Sequence, residues 1–237
     1  AKHFHFTDES YPPALFRKLS RGLIDSKMDI IWTTHMRFEK SLLEESVWQD
    51  AKESGCRYLH FGYESGNERV LKLMDKATTT EIITQHLQMS ANVGIWNHCM
   101  GFFGFPGETK EEAWDSVQFL EANKEHVHSL GFGTFDLSKH TPVAKDPERW
   151  GVKVYKNPEW DLALDYYYTV KNGMSIEEAE RVFAEFERNH NPGWDLRLFI
   201  REYIFLYIAR FGLQKLPDLQ FNAAKFASAP PSLAGKM

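Results

Sequence analysis

The sequence predicts an α/β protein: an incomplete (β/α) barrel with parallel strands, followed by a helical C-terminal extension. Five short segments rich in aromatic and β-branched residues begin at positions 3, 29, 57, 95 and 131, a composition that suits a pleated, half-buried backbone. Helical patterns fill the intervals, several opened by a hydroxyl residue three places ahead of a glutamate, the spacing of a capping box. Beyond residue 141 the strand signals stop and helical patterns succeed one another. Strand alternating with helix is the rhythm of right-handed β-α units that build a parallel sheet. A complete eight-unit barrel takes about 250 residues, so five units ending near residue 140 form part of one.

Taken in order, "HFHFT" (3–7) opens the chain as a strand, without an initiator Met. That start predicts a segment of a longer protein, and it leaves an exposed N-terminal edge strand through which copies could self-associate. "DIIWTTH" (29–35), "RYLHFGY" (57–63), "IWNHCMGFF" (95–103) and "GFGTFDL" (131–137) supply the next four strands. Ser41 with Glu44, Ser65 with Glu68, Thr78 with Glu81, and Thr109 with Glu112 are the expected capping boxes, joined by Ser175 with Glu178 further on. Helices are expected at 158–171, 175–190 and 194–211. The organisation is thus a partial barrel over 1–141, a helical extension over 142–216 and a loose tail over 217–237.

Composition narrows the function. The 237 residues are 43% hydrophobic, enough for a sizeable core, since chains of this length hide roughly 70 to 75% of their unfolded surface. A net charge of −5 from 28 basic and 33 acidic residues spread along the chain offers no basic block for a nucleic-acid backbone. The apolar run "YIFLYIARFG" is too short to cross a bilayer. With neither a signal peptide nor a span in view, a cytoplasmic protein without a membrane or nucleic-acid partner is expected. The two cysteines, Cys56 and Cys99, stand far apart and outside any C-x-x-C spacing, so they read as buried thiols.

In a parallel β-α sheet the ligand lies beyond the carboxyl ends of the strands. Those ends carry Thr7, Asp8 and Glu9; His35 and Arg37; Glu64 and Ser65; His98, Gly101 and Gly104 through Thr109; then Ser138, Lys139 and His140. In "HFGYESGNERVLKLMDK" (60–76) the strand is expected to deliver Glu64 to the rim, with Gly66 allowing a tight turn and Ser65 capping the next helix. A carboxylate there can accept from ribose hydroxyls or an ammonium group. In "GFFGFPGET" (101–109), three glycines around Pro106 leave backbone uncovered, which would suit a flat purine.

These stretches, with "FHFTDES" at 4–10 and "SKHTPVAKDPERWGV" at 138–152, resemble the catalytic domain of radical S-adenosylmethionine (radical SAM) enzymes. The likeness is to the branch that often carries a cobalamin-binding domain upstream. The resemblance implies a partial α/β barrel and a parent enzyme that reductively cleaves S-adenosylmethionine at a 4Fe-4S cluster. The resulting 5'-deoxyadenosyl radical abstracts hydrogen from a small-molecule substrate, for methyl transfer, cyclisation or a similar outcome, with a reductant protein as partner and cobalamin as a further cofactor in that branch. On the same resemblance Thr7, Asp8 and Glu9 meet the methionine amino group, Glu64 and Ser65 the ribose and carboxylate region, and Met100, Gly101, Phe102, Phe103, Gly104 and Phe105 the adenine. Arg37 and Lys76 fall on basic positions of the pattern. Such enzymes hold the cluster on a C-x3-C-x2-C loop, which this sequence lacks. The chain by itself is therefore expected to be inactive and to retain no cofactor, the cluster loop lying upstream.

Two other readings stay open on the residues alone. His3, His5, His35, His60, His98 and His140 accompany the strands, as in barrel hydrolases that bind metal at the rim. A non-catalytic fold fragment is the third.

Overall fold

The computed structural model describes residues 2–8, 10–156, 162–189 and 210–211. All five expected strands form: β1 (His3–Phe6), β2 (Ile31–Met36), β3 (Cys56–Glu64), β4 (Trp96–Phe103) and β5 (Ser129–Thr134). They pair in chain order, each neighbour parallel, so every connection is a crossover. The crossovers are helical: α1 (Pro13–Asp25), α2 (Glu45–Glu53), the short α3 (Glu68–Leu73) with α4 (Thr80–Asn92), and α5 (Lys110–Ala122).

Two-residue alternation divides the sheet. Trp32 and Met36 of β2, Leu59, Phe61 and Tyr63 of β3 and Cys99 of β4 share one buried cluster with Phe16 of α1, Trp48 of α2, Leu87 of α4 and Leu120 of α5. Each large side chain fully buried there contributes about 1.5 to 3 kcal/mol. The alternate positions, His5, His35, Tyr58, His60, Trp96, His98, Met100 and Ser129, fall on the opposite face. Helices on one face and polar side chains on the other describe a stretch of barrel wall, and the five strands do not close on themselves among the described residues.

Thr109 caps α5 with Glu112 as a full capping box, and Ser175 and Glu178 exchange the same pair of bonds ahead of α7 (Ile176–Asn189). The other three expected boxes do not form. Thr79, not Thr78, caps α4. Asn67, not Ser65, caps α3, and Glu68 instead accepts from the Thr80 amide and hydroxyl at 2.7 and 2.6 Å. Ser41 sits in a 3-10 turn, and Glu44 accepts from Arg17 at 2.9 Å. The spacing marks a helix start to within a residue or two, while the cap itself falls where the backbone leaves the extended region.

Beyond residue 141 the chain is less helical than expected. After the short α6 (Pro142–Lys145) comes an antiparallel hairpin of β6 (Val152–Tyr155) and β7 (Tyr167–Val170), where a helix over 158–171 is predicted. The run Tyr-Tyr-Thr-Val has strand composition. Pairing with β6 also lets Tyr168 bury against Phe135 and donate to its carbonyl at 2.9 Å. The helix expected at 194–211 and the tail lie almost wholly outside the described residues. Helix α7 lies beside α5, packing Val182 and Phe186 on Phe103 and on Ala113 and Val117 of α5. Among the described residues no helix is long and apolar enough to cross a membrane.

Helix α7 comes so close because Gly104 has no side chain. Its φ is +88°, and an added Cβ would stand 2.5 Å from the Ala179 Cβ. Gly104→Ala is expected to cost about 2 to 3 kcal/mol through backbone strain and overpacking. Gly133→Ala, where nothing lies within 4 Å, should stay within about 0.5 kcal/mol. Urea denaturation of both variants checks this.

Candidate functional site

Beyond the carboxyl ends of β2, β3 and β4 lies a cleft of about 330 Å³, whose lining includes His35, Arg37, Glu64, Lys76 and Met100. Its geometry starts with an irregularity in β3. The pairing of β3 with β4 slips between Gly62 and Glu64, and Glu64 takes a left-handed φ of +64°, a conformation that costs a non-glycine residue about 1 to 2 kcal/mol. Its carboxylate accepts from Lys76 Nζ at 2.8 Å. Lys76 is returned to the strand end by a turn in which Asp75 and Ala77 also have positive φ, 55° and 50°. Arg37 Nη2 donates to the Lys76 carbonyl at 3.3 Å.

A partly buried ion pair of this kind is worth up to about 1 kcal/mol, no more than the strain at Glu64. The neighbouring residues hold the strained conformation in place. Ser65 is fully buried; its amide donates to the Tyr63 carbonyl at 2.8 Å, and its hydroxyl pairs with Ser116 Oγ at 2.9 Å. Tyr63 Oη donates to the Ser116 carbonyl at 2.8 Å. Gly66 serves close approach in this network, since a Cβ there would lie 2.2 Å from Tyr63 Oη. Ser65 thus anchors the strand end to α5.

The "GFFGFPGET" bend does not present bare backbone. The Gly104 amide donates to Glu108 Oε2 at 2.6 Å, the Gly107 carbonyl accepts from Arg69 at 2.6 Å, and the space beside Gly104 is filled by Ala179. Glu108 is wholly buried, and its Oε1 has no hydrogen-bond partner. Burial pushes its carboxyl up to about 7 against the opposing pull of the Gly104 and Phe105 amides.

Of the residues expected at the site, Arg37, Glu64, Lys76 and Met100 meet in the cleft. Thr7 and Asp8 are exposed just past β1, with Ser10 on the cleft wall, and Glu9 lies outside the described residues. Gly101, Phe103, Gly104 and Phe105 are buried. Phe103 packs on Phe186, Phe105 on Trp150, and half-buried Phe102 on Phe135. Met74, Asp75 and Thr78 also line the cleft and were not anticipated; the one signal in the sequence is that "MDKATT" sits between two helices, where a loop must return. At the rim's far side Ser138 donates to Asp165 at 2.6 Å and Lys139 covers the Tyr166 ring. Clefts of about 410 and 340 Å³, along α7 and beside Trp150, lie off the strand ends. Both are lined largely by charged side chains, and a parallel sheet places its ligand beyond the strand ends, so the smaller cleft is the better candidate.

On the sheet face below the cleft the histidines form a row. His35 lies opposite His60, and His60 opposite His98, in adjacent strands. Ring centroids are 4.4 Å apart for His35 and His60, and 5.4 and 5.5 Å from His5 to each of these. His98 meets His60 edge-on at 5.4 Å, with its Nδ1 2.8 Å from Ser129 Oγ.

A one-sided parallel sheet with a charged cleft beyond its strand ends has the form of a β/α barrel wall, the end at which such folds place their ligands. Residues 8–120, which carry β2, β3, β4 and the cleft, match the model of the Radical SAM superfamily. An uncharacterized methyltransferase of Pyrococcus horikoshii is 30% identical over 124 residues, 51% of this chain and 26% of the relative. The cytidylyl-2-hydroxyethylphosphonate methyltransferase of Streptomyces wedmorensis is 25% identical over 209 residues, 81% of this chain and 37% of the relative. The structure of the radical S-adenosylmethionine methyltransferase TsrM from Kitasatospora setae, with cobalamin and a 4Fe-4S cluster bound, superposes with a TM-score of 0.54 at 18% identity, covering 77% of this chain and 38% of that one. The chain thus spans between a quarter and two fifths of the length of these relatives.

Glu108 gives the bend a pH dependence. The unfolded chain releases this proton near 4.5 and the native chain near 7, so between these values the native state binds more protons and its stability falls as pH rises. The loss reaches about 3 kcal/mol, at about 1.4 kcal/mol per unit. Glu108→Gln should lack this slope. Urea denaturation of wild type and variant at pH 5 and pH 8 measures the difference, and equal slopes would refute the assignment.

Proposed function

We propose that this chain supplies the S-adenosylmethionine-binding wall of a radical SAM enzyme that cleaves S-adenosylmethionine reductively at a 4Fe-4S cluster and transfers a methyl group to a small-molecule substrate. The observation that carries the reading is the meeting of Arg37, Glu64, Lys76 and Met100 in one cleft beyond the strand ends, inside the segment that matches the superfamily. Methyl transfer is supported by the relatives from Pyrococcus and Streptomyces, both methyltransferases by name. Cobalamin as a cofactor of the whole enzyme is supported by its presence in the TsrM structure.

The cleft residues fit a zwitterionic nucleoside. When bound, S-adenosylmethionine supplies the transferable methyl group and the source of the 5'-deoxyadenosyl radical. Glu64 accepts hydrogen bonds from an ammonium or from ribose hydroxyls, while Lys76 and Arg37 donate to a carboxylate. Met100 offers an apolar, polarizable surface beside them. The strained backbone at Glu64 fixes its carboxylate before any ligand arrives, which lowers the ordering cost of binding.

The cluster does not fit these residues. Cys56 and Cys99 are both buried. Burial raises both thiols, Cys56 to about 12, and the pair is one short of a three-thiolate set. No step through the cluster is assigned to this chain.

Equilibrium dialysis of the 237-residue chain against labelled S-adenosylmethionine tests the proposal. Saturable, freely reversible binding is expected, too weak for the ligand to be retained without the cluster, and weakened at least about tenfold further by Glu64→Ala, the loss expected on removing one charge-assisted hydrogen bond. Absence of saturable binding, or binding that Glu64→Ala leaves unchanged, would overturn it.

A further inference from the structure

We propose that His5, His35 and His60 form a divalent transition-metal site on the inner face of the sheet, just below the cleft. The three side chains come from three adjacent strands, β1, β2 and β3, and project on the side away from the helices. Each offers a ring nitrogen, and the three nitrogens lie within 4.8 Å of one another. Around an ion with metal–nitrogen bonds of about 2.0 to 2.1 Å, such nitrogens stand roughly 3.3 Å apart. Small side-chain rotations on a rigid sheet close the gap. The donor set is imidazole alone, which suits Zn²⁺ or Co²⁺ and not the oxygen-seeking Mg²⁺ or Ca²⁺.

Burial grades across the set. His60 is 1% exposed and His5 and His35 are half-buried, so the site is walled on the His60 side and reachable from the other. Tyr58 and His98 pack edge-on against His60 at 4.5 and 5.4 Å and limit its rotation. His35 also lines the cleft, which puts a fourth coordination position within reach of a ligand there, as in metal sites that keep one position open. A bound ion would clamp the edge strand β1 to β2 and β3. A row of histidines packed only as rings would show no such affinity, and the test below is made without S-adenosylmethionine, so its outcome does not hang on that ligand.

Titration of the metal-free, untagged chain with Co²⁺, followed by visible ligand-field absorption, is the test. Saturation at a single equivalent is expected, with the signal displaced by Zn²⁺. His5→Ala and His35→Ala should each weaken binding by more than about tenfold, and His140→Ala should leave it unchanged. Both test positions are half-buried, and circular dichroism in the presence of EDTA shows whether the variants fold. A folded wild type without saturable absorption would overturn the proposal, as would folded His5→Ala and His35→Ala variants that both retain it.

Discussion

In a parallel sheet covered by helices on one side only, successive residues of each strand live in different solvents. One set must be apolar because it meets the helices; the next is free to be polar because it faces the barrel interior. Nearly everything else in this molecule derives from that division. Trp32, Phe61 and Tyr63 hold the helices, and their sequence neighbours Thr33, His60 and Gly62 are thereby turned to the other face. The helix side supplies the burial energy, so the interior face can carry histidines without the sheet depending on them.

The same division explains the glycines. Where strands end, the chain must turn while α5 and α7 press against it, and at Gly104 both demands coincide: a left-handed φ and Ala179 at contact distance. The bend after β4 is therefore packed solid, and Glu108 fills it with a buried carboxyl whose charge the surroundings disfavour. Its chemistry is that of a fastener between β4, α5 and the segment before α7. The open side of the rim lies one strand earlier, at Glu64.

At Glu64 the energetic balance is reversed. Its pair with Lys76 is too weak to offset a left-handed glutamate, and the conformation persists because Tyr63 and Ser65 are tied to Ser116 on either side of it. A carboxylate held this way by its neighbours is pre-organised, and Arg37, Lys76 and Met100 surround it with groups a zwitterion can use. The histidine row begins directly beneath, sharing His35 with the cleft, so two kinds of chemistry stand one strand position apart on the same face.

The sequence by itself determined the five strands and their parallel β-α connection into part of a barrel, because aromatic and β-branched runs, crossover spacing and capping signals are local. It also singled out Arg37, Glu64, Lys76 and Met100. Only the tertiary structure decided that Ser65 turns inward to Ser116, that Asn67 takes the cap, and that the glycine bend is filled by Glu108 and Ala179. It likewise decided that 167–170 pairs as a strand and that His5 joins His35 and His60. Each of these depends on a partner far away in the chain, and a hydroxyl, a glycine or an imidazole carries no local mark of which distant atom it will meet.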